Sequence, residues 1–163
     1  GRQSTTPPRP VPVDLRALVD EAIFDATLVG HPTIRVTNGI PDAVTLSADP
    51  DQLGRVFVNL LKNAREALEG LENPSPPAAI EIGFSDRDGA SVVHVSDNGP
   101  GLPPRARENL FIAFEGSAKA GGTGLGLAIA RELAQAHGGA LVFVPQERGT
   151  RFDVELPASI RIA

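Results

Sequence analysis

Cysteine, tryptophan and tyrosine are all missing from the 163 residues, and each absence closes off a class of function. Without cysteine there is no disulfide framework and no thiolate chemistry, which fits a reducing, cytoplasmic setting. Without tryptophan or tyrosine, stacking platforms for single-stranded bases are scarce. No apolar run approaches the roughly 20 residues that a membrane span needs, and no signal-peptide pattern precedes the domain. Positive charge is also short: 15 basic residues against 20 acidic ones give −5, which disfavours a general nucleic-acid binder. What remains is 41% apolar, enough for one globular domain with a single core. Fifteen prolines and 17 glycines imply many turns.

The first ten residues, GRQSTTPPRP, read as an extended, partly disordered lead-in, with Gly1 a candidate tag remnant. Asp14 caps a helix expected to run to about Val29, with Leu15, Leu18, Val19, Ala22 and Ile23 on one face. Thr33–Asn38 and Ala43–Ser47 read as short strands, with Asn38-Gly39 and Ile40-Pro41 as turn material between them. The strongest helix signal follows: Asp49 at the N-cap, Pro50 at N1 and Gln52 at N3. Leu53, Val56, Phe57, Leu60, Leu61, Ala64 and Leu68 then carry a helical stripe to about Glu69. Ala79–Ser85 and Ser91–Ser96 flank Asp86-Arg87-Asp88-Gly89 as a hairpin. A short helix is expected from Pro103-Pro104, a longer one over Thr123–His137 ending at Gly138-Gly139, and a last hairpin from Ala140–Val144 and Arg151–Leu156. This order predicts an α+β fold with a mixed sheet covered by helices.

Gly121-Gly122-Thr123-Gly124-Leu125-Gly126-Leu127 invites a phosphate-loop reading that the standard patterns do not support. A Walker A loop requires a Gly-Lys pair, and the chain has none. The dinucleotide fingerprint fails because Leu127 or Ile129 falls where its last small residue belongs. Glycines before a helix still bare N–H groups at its positive end, which suits an anion. A flexible loop leading into a helix explains the stretch equally well.

Two further polar clusters stand out. Asn59 and Asn63 lie four apart on one helix face, with Glu66 one turn on. Paired amides can hold hydrated Mg²⁺ or phosphate oxygens without adding negative charge, although the spacing alone fits a solvated face. Asp97-Asn98-Gly99-Pro100-Gly101 ends a strand. A carboxylate there can accept a hydrogen bond from a purine amino group while the glycines let backbone approach the ring. Alone, the segment is a turn.

Taken in order, these clusters resemble the ATP-binding domain of sensor histidine kinases, in the superfamily shared with gyrase, heat-shock chaperone and mismatch-repair ATPases. Asn59–Ala67 is similar to its N box, and Asp97–Gly101 to its first glycine box. Leu110-Phe111-Ile112-Ala113-Phe114 is similar to its F box, and Gly122–Leu127 to its second glycine box. Gly149-Thr150 with Phe152 and Pro157 resembles the closing segment. The resemblance implies a Bergerat-type two-layer α/β sandwich, its mixed and mostly antiparallel sheet covered on one face by about three helices. It implies a domain over 13–157 with a lid at about 102–121, a lead-in over 1–12 and a tail over 158–163.

It also implies roles. Asp97 would bond the adenine amino group, Gly99 and Gly101 would give the ring room, and Thr150 would sit near adenine or its water. Asn63 would coordinate Mg²⁺ bridging the phosphates of ATP, with Asn59 as second ligand or water holder. Gly122, Thr123, Gly124, Leu125, Gly126 and Leu127 would line the phosphates, with Lys119 as the lid cation. Glu66 would either assist the phosphoacceptor, pair with Arg65 or stand as a surface charge. Where the ATPase branches carry a Glu general base this chain has Asn59, and an amide takes no proton from water. Hydrolysis is therefore disfavoured while phosphoryl transfer is not.

His31, His94 and His137 each lack the context of a phosphoacceptor and are expected to be structural or surface residues. The chain is accordingly expected to be an excised, monomeric catalytic domain with its phosphoacceptor helices lost before Gly1. The implied partners are a dimerising helical domain bearing the acceptor His, outside this chain, and the receiver domain of a response regulator, with no nucleic-acid or membrane contact. The intact protein is expected to be a homodimer. A serine-directed kinase of the same superfamily and an ATP-binding pseudokinase are the competing readings.

Overall fold

The computed structural model describes residues 6–112 and 125–162. Val11–Asp14 forms β1 and Leu15–Asp25 α1; Arg35–Asn38 is β2 and Thr45–Ala48 β3. Pro50–Glu69 is α2, and Ala79–Arg87 and Ala90–Asp97 are β4 and β5. Pro104–Glu108 is α3, Leu125–Ala136 α4, Ala140–Val144 β6 and Thr150–Leu156 β7. A 3-10 turn, Ala158–Ile160, follows.

Five strands form one sheet in the order β2-β4-β5-β7-β6, and β1 with β3 makes a separate two-stranded piece. Only β2 with β4 is parallel. The strands alternate as their sequences require: Ile80, Ile82, Val93, Val95, Phe152 and Val154 join the hydrophobic core. Glu81, Ser85, His94 and Asp153 fall at the alternate positions. The three long helices α1, α2 and α4 supply the other half of that core, with α2 packed between the other two. The expected architecture is thus the observed one.

Helix α2 starts where capping chemistry puts it. The Asp49 carboxylate accepts the N–H groups of Asp51 and Gln52 through Oδ1, both at 3.0 Å, and that of Arg9 through Oδ2 at 2.9 Å. The backbone N–H of Asp49 donates to Nε2 of His137 at 3.1 Å, while Nδ1 of His137 donates to the Leu133 carbonyl at 2.9 Å. Asp49 and His137 are 9% and 7% exposed, so this joint is dry on most sides. It fastens the start of α2 to the end of α4 and to the incoming chain, where Gln52 Nε2 also donates to the Thr6 carbonyl at 2.8 Å.

Several boundaries differ from the sequence expectation. Helix α1 stops at Asp25 rather than near Val29, because Thr27 takes φ +57°. The Leu28 N–H then returns to the Ile23 carbonyl at 3.1 Å and the Thr27 N–H to that of Phe24 at 3.0 Å. This is a Schellman closure without its usual glycine, held by burial of Leu28. The second short strand runs Thr45–Ala48 and pairs with β1 across Val11↔Ala48 to Asp14↔Thr45, while β2 joins the main sheet. The last residues are attached as well: the Ile162 N–H donates to the Thr45 carbonyl at 2.8 Å, and Arg161 stacks 5.7 Å from the Phe84 ring centroid.

The Arg9 N–H, above all, holds the Asp49 carboxyl below the usual carboxylate range, with Gln52 and Asp51 adding to it and burial opposing. Burial also opposes at Asp153, yet the hydrogen bonds from Arg151 and His94 keep its carboxyl low. A depressed folded-state pKa gives stability that is present above the unfolded value of about 4 and lost as pH falls through the folded one. Urea midpoints should therefore hold steady above about pH 5 and drop below about pH 4. Asp49→Ala should cost about 2 kcal/mol at neutral pH and flatten that acid limb; an unchanged limb in the same melts would contradict the assignment.

Candidate functional site

Three elements bring the polar clusters together. Asn59 and Asn63 project from α2, both half-buried. Asn59 Nδ2 donates to the Gly126 carbonyl at 3.1 Å, so the amide pair abuts the first turn of α4. This bond takes up the amide N–H and leaves the Asn59 Oδ1 as a free acceptor among the described residues. The Asn63 amide has no hydrogen-bond partner among them. Two amide oxygens one helical turn apart are hard donors suited to a hydrated Mg²⁺, and the donor set fits that ion. Among the described residues no group of three His, Asp or Glu offers an alternative metal cage.

The far end of α2 meets the second cluster. Asp97 ends β5, opposite Ile80 on one side and Thr150 on the other. Its Oδ1 accepts the Gly99 N–H at 2.9 Å, which fixes the carboxylate at the head of the turn. Gly99 is buried against the helix: a Cβ there would lie 3.0 Å from Asp97 Oδ1 and 3.3 Å from Leu68 Cδ2. Thr150, 9% exposed, opens β7 beside Asp97. Gly149, just before it, packs so closely that a Cβ would stand 2.1 Å from the Asp97 carbonyl oxygen. Gly101, at φ +83°, lies over the Gly149 carbonyl.

The remaining expected residues separate into groups. At Gly126 the nearest atoms a Cβ would meet are those of Asn59, at an ordinary 3.9 Å, so packing of the described residues does not demand glycine there. The Leu127 side chain is 7% exposed and belongs to the core, so only its backbone is available to an anion. Leu125 begins α4. Lys119, Gly122, Thr123 and Gly124 lie outside the described residues, as do Ala113, Phe114 and the lid beyond Ile112. Glu66 is exposed and does not pair with Arg65, whose guanidinium instead sits 3.6 Å from Glu69. Phe111 packs against the core and carries Arg131 of α4 over its ring at 4.9 Å.

All three histidines are spent on structure. His31 Nδ1 accepts the N–H groups of Thr33 and Ile34 while Nε2 contacts Glu69 at 2.9 Å. His94 bridges Ser85 at 2.7 Å and Asp153 at 2.9 Å, with Arg151 forking onto both Asp153 oxygens. Sequence reasoning placed Gly149 and Asn98 within motifs but gave neither a part in the site's frame. Gly149 had a visible signal, its place just before Thr150; Asn98 had none, since its partners are main-chain atoms of Pro77, in the Pro-rich connection, and of Ala79, the first residue of β4. A separate cavity of about 480 Å³ between α1 and β2, lined among others by Arg16, Asp20, Leu28 and Val36, shares no residue with this cleft.

Comparison with known proteins agrees with the geometry. Residues 48–160 match the family of histidine kinase-, DNA gyrase B-, and HSP90-like ATPases. The sensory histidine kinase/phosphatase NtrB of Escherichia coli O157:H7 is 36% identical over 129 residues, 72% of this chain and 35% of that protein. The probable sensor histidine kinase TcrY of Mycobacterium tuberculosis is 32% identical over 151 residues, 90% of this chain and 30% of its own length. The mycobacterial sensor histidine kinase MprB superposes with a TM-score of 0.74 at 29% identity, covering 90% of this chain and 97% of that one. The catalytic domain of histidine kinase ThkA does so with 0.74 at 26%, covering 92% and 96%. The chain spans about a third of the length of the curated relatives it matches. With the family match over residues 48–160 and the likeness of fold agreeing, the chain belongs to the histidine kinase-, DNA gyrase B-, and HSP90-like ATPase family, in the form of a sensor-kinase catalytic domain.

Proposed function

We propose that this domain binds Mg²⁺-ATP between α2, the β5 end and the start of α4, and presents its γ-phosphoryl group to a histidine on a separate helical domain. The observation that carries the reading is the contact of Asn59 with the Gly126 carbonyl, which sets the amide pair beside the positive end of a twelve-residue helix. Backbone N–H groups there attract the phosphate chain. Asn63 and Asn59 would hold Mg²⁺, which when bound neutralises charge on the phosphates. Asp97, its Oδ1 already fixed by Gly99, accepts from the exocyclic amino group of adenine, with Thr150 beside it. Lys119 and Gly122 to Gly124, outside the described residues, would complete the phosphate contacts.

Phosphoryl transfer asks mainly for positioning and charge neutralisation, and this arrangement offers both. Asn59 offers no base for water, so ATP is spared hydrolysis until an acceptor arrives. Glu66, exposed and without an ion pair among the described residues, stands ready to orient the acceptor imidazole. The phosphorylated histidine would then pass its group to a response-regulator aspartate, in a homodimeric parent at the cytoplasmic side. No described helix is long and apolar enough to cross a membrane.

Asp97→Asn should weaken ATP binding about tenfold or more by calorimetry, the worth of one charge-assisted hydrogen bond, while the melting temperature stays near that of the parent. Unchanged affinity would remove Asp97 from the base site. Asn63→Asp places a negative charge beside the phosphates. It should cut transfer to an added phosphoacceptor domain at least about a hundredfold and affect ATP affinity far less, since positioning rather than binding is lost. Normal transfer by that variant would refute the metal assignment.

A further inference from the structure

Asn98 follows Asp97 and is tied entirely to main chain. Its Oδ1 accepts the Ala79 N–H at 2.9 Å and its Nδ2 donates to the Pro77 carbonyl at 2.9 Å. Its own N–H donates to the Ala79 carbonyl at 3.3 Å. The β4–β5 ladder has its last pair at Ile80↔Asp97, so these three bonds extend the pairing one step past the strands, through a side chain. The same stretch is anchored on its other side, where the Arg35 N–H donates to the Ala78 carbonyl at 3.1 Å.

Asp97 is therefore gripped from two directions. On the β7 side Gly149 lies hard against its carbonyl oxygen; on the β4 side Asn98 adds a grip beyond the ladder. The carboxylate is set by the Gly99 N–H, one residue beyond Asn98. A shift of the backbone at 98 moves that donor and turns the carboxylate with it.

We infer that Asn98 is a positioning residue for base recognition: through Pro77 and Ala79 it makes the aim of Asp97 depend on the Pro-rich connection between α2 and β4. This rests on the reading of Asp97 as the adenine acceptor. Neither end of the Asn98 amide is needed by a ligand, so its influence runs through Asp97. The connection 71–78 thereby becomes part of the nucleotide site without touching it.

The test is a double-mutant cycle on the full 163-residue chain, reading displacement of a ribose-labelled fluorescent ATP analogue by ATP and by GTP. GTP presents a carbonyl where ATP presents the amino group, so the ATP/GTP ratio reports the aim of Asp97 rather than general folding. Asn98→Ala should lower that ratio about tenfold, the loss of one well-aimed charged hydrogen bond, and should have little further effect in an Asp97→Ala background. Asn98→Asp, which keeps the acceptor for Ala79 but sets a carboxylate against the Pro77 carbonyl, should fall between. It also serves if the alanine variant fails to fold by circular dichroism. An unchanged ratio in a folded variant, or full additivity with Asp97→Ala, overturns the inference. If Asp97→Ala itself leaves the ratio unchanged, the reading of Asp97 fails first.

Discussion

The Asp49 carboxylate holds the fold together at the point where three segments meet. It satisfies two of the orphan N–H groups at the start of α2 and a third from the incoming chain at Arg9, while its own amide ends on His137. An acceptor-only group serving three donors in a mostly dry place is costly to leave unpaired. Each donor therefore locks the position of the other two. His137 is bound to a single tautomer by the same logic, its Nδ1 giving and its Nε2 receiving. Helices α2 and α4 are thus registered along their length, and that register brings Gly126 under Asn59 at the other end.

The site inherits its rigidity from this arrangement. Its polar groups come from the middle of one helix, the first turn of another and two adjacent strand ends, none of which can shift without disturbing the core. The close approaches confirm the demand for small residues at two places: Gly149 against the Asp97 carbonyl and Gly99 against Leu68. At Gly126 no such demand exists within the described residues. The glycines thus differ physically: some are demanded by close backbone packing, while Gly126 leaves ordinary space beside Asn59.

What was legible in the chain beforehand follows from range. The α2 stripe, its Asp-Pro-x-Gln start and the β4–β5 hairpin are written in neighbouring residues and came out nearly as read, as did the α4 end at Gly138-Gly139. The stop of α1 was not, because a threonine in the left-handed region carries no glycine to announce it and is held there by burial of Leu28. The pairing of Val11–Asp14 with Thr45–Ala48 joins residues more than thirty positions apart, and no local pattern encodes such a partner. At the site, Asn59, Asn63 and Asp97 stood out only through the order of several motifs together, since their spacing alone fits a solvated face and a turn. The role of Arg65 was not legible: the choice between Glu66 and Glu69 is decided by helical geometry, in which i,i+4 partners face each other and adjacent ones do not. Asn98 stayed hidden because its work is done on main-chain atoms of another segment.

Helix α2 also acts as a ruler. The chain from Thr6 to Arg9 is fastened at its first turn, and Asn63 lies fourteen residues beyond Asp49, roughly 21 Å at 1.5 Å per residue. Anything joined to the domain through that fastened segment starts from the wrong end of the helix. On the proposed reading, an acceptor attached there would have to fold back along the molecule over that distance, so the length and stiffness of its connection would decide whether the domain serves its own acceptor or that of a neighbour.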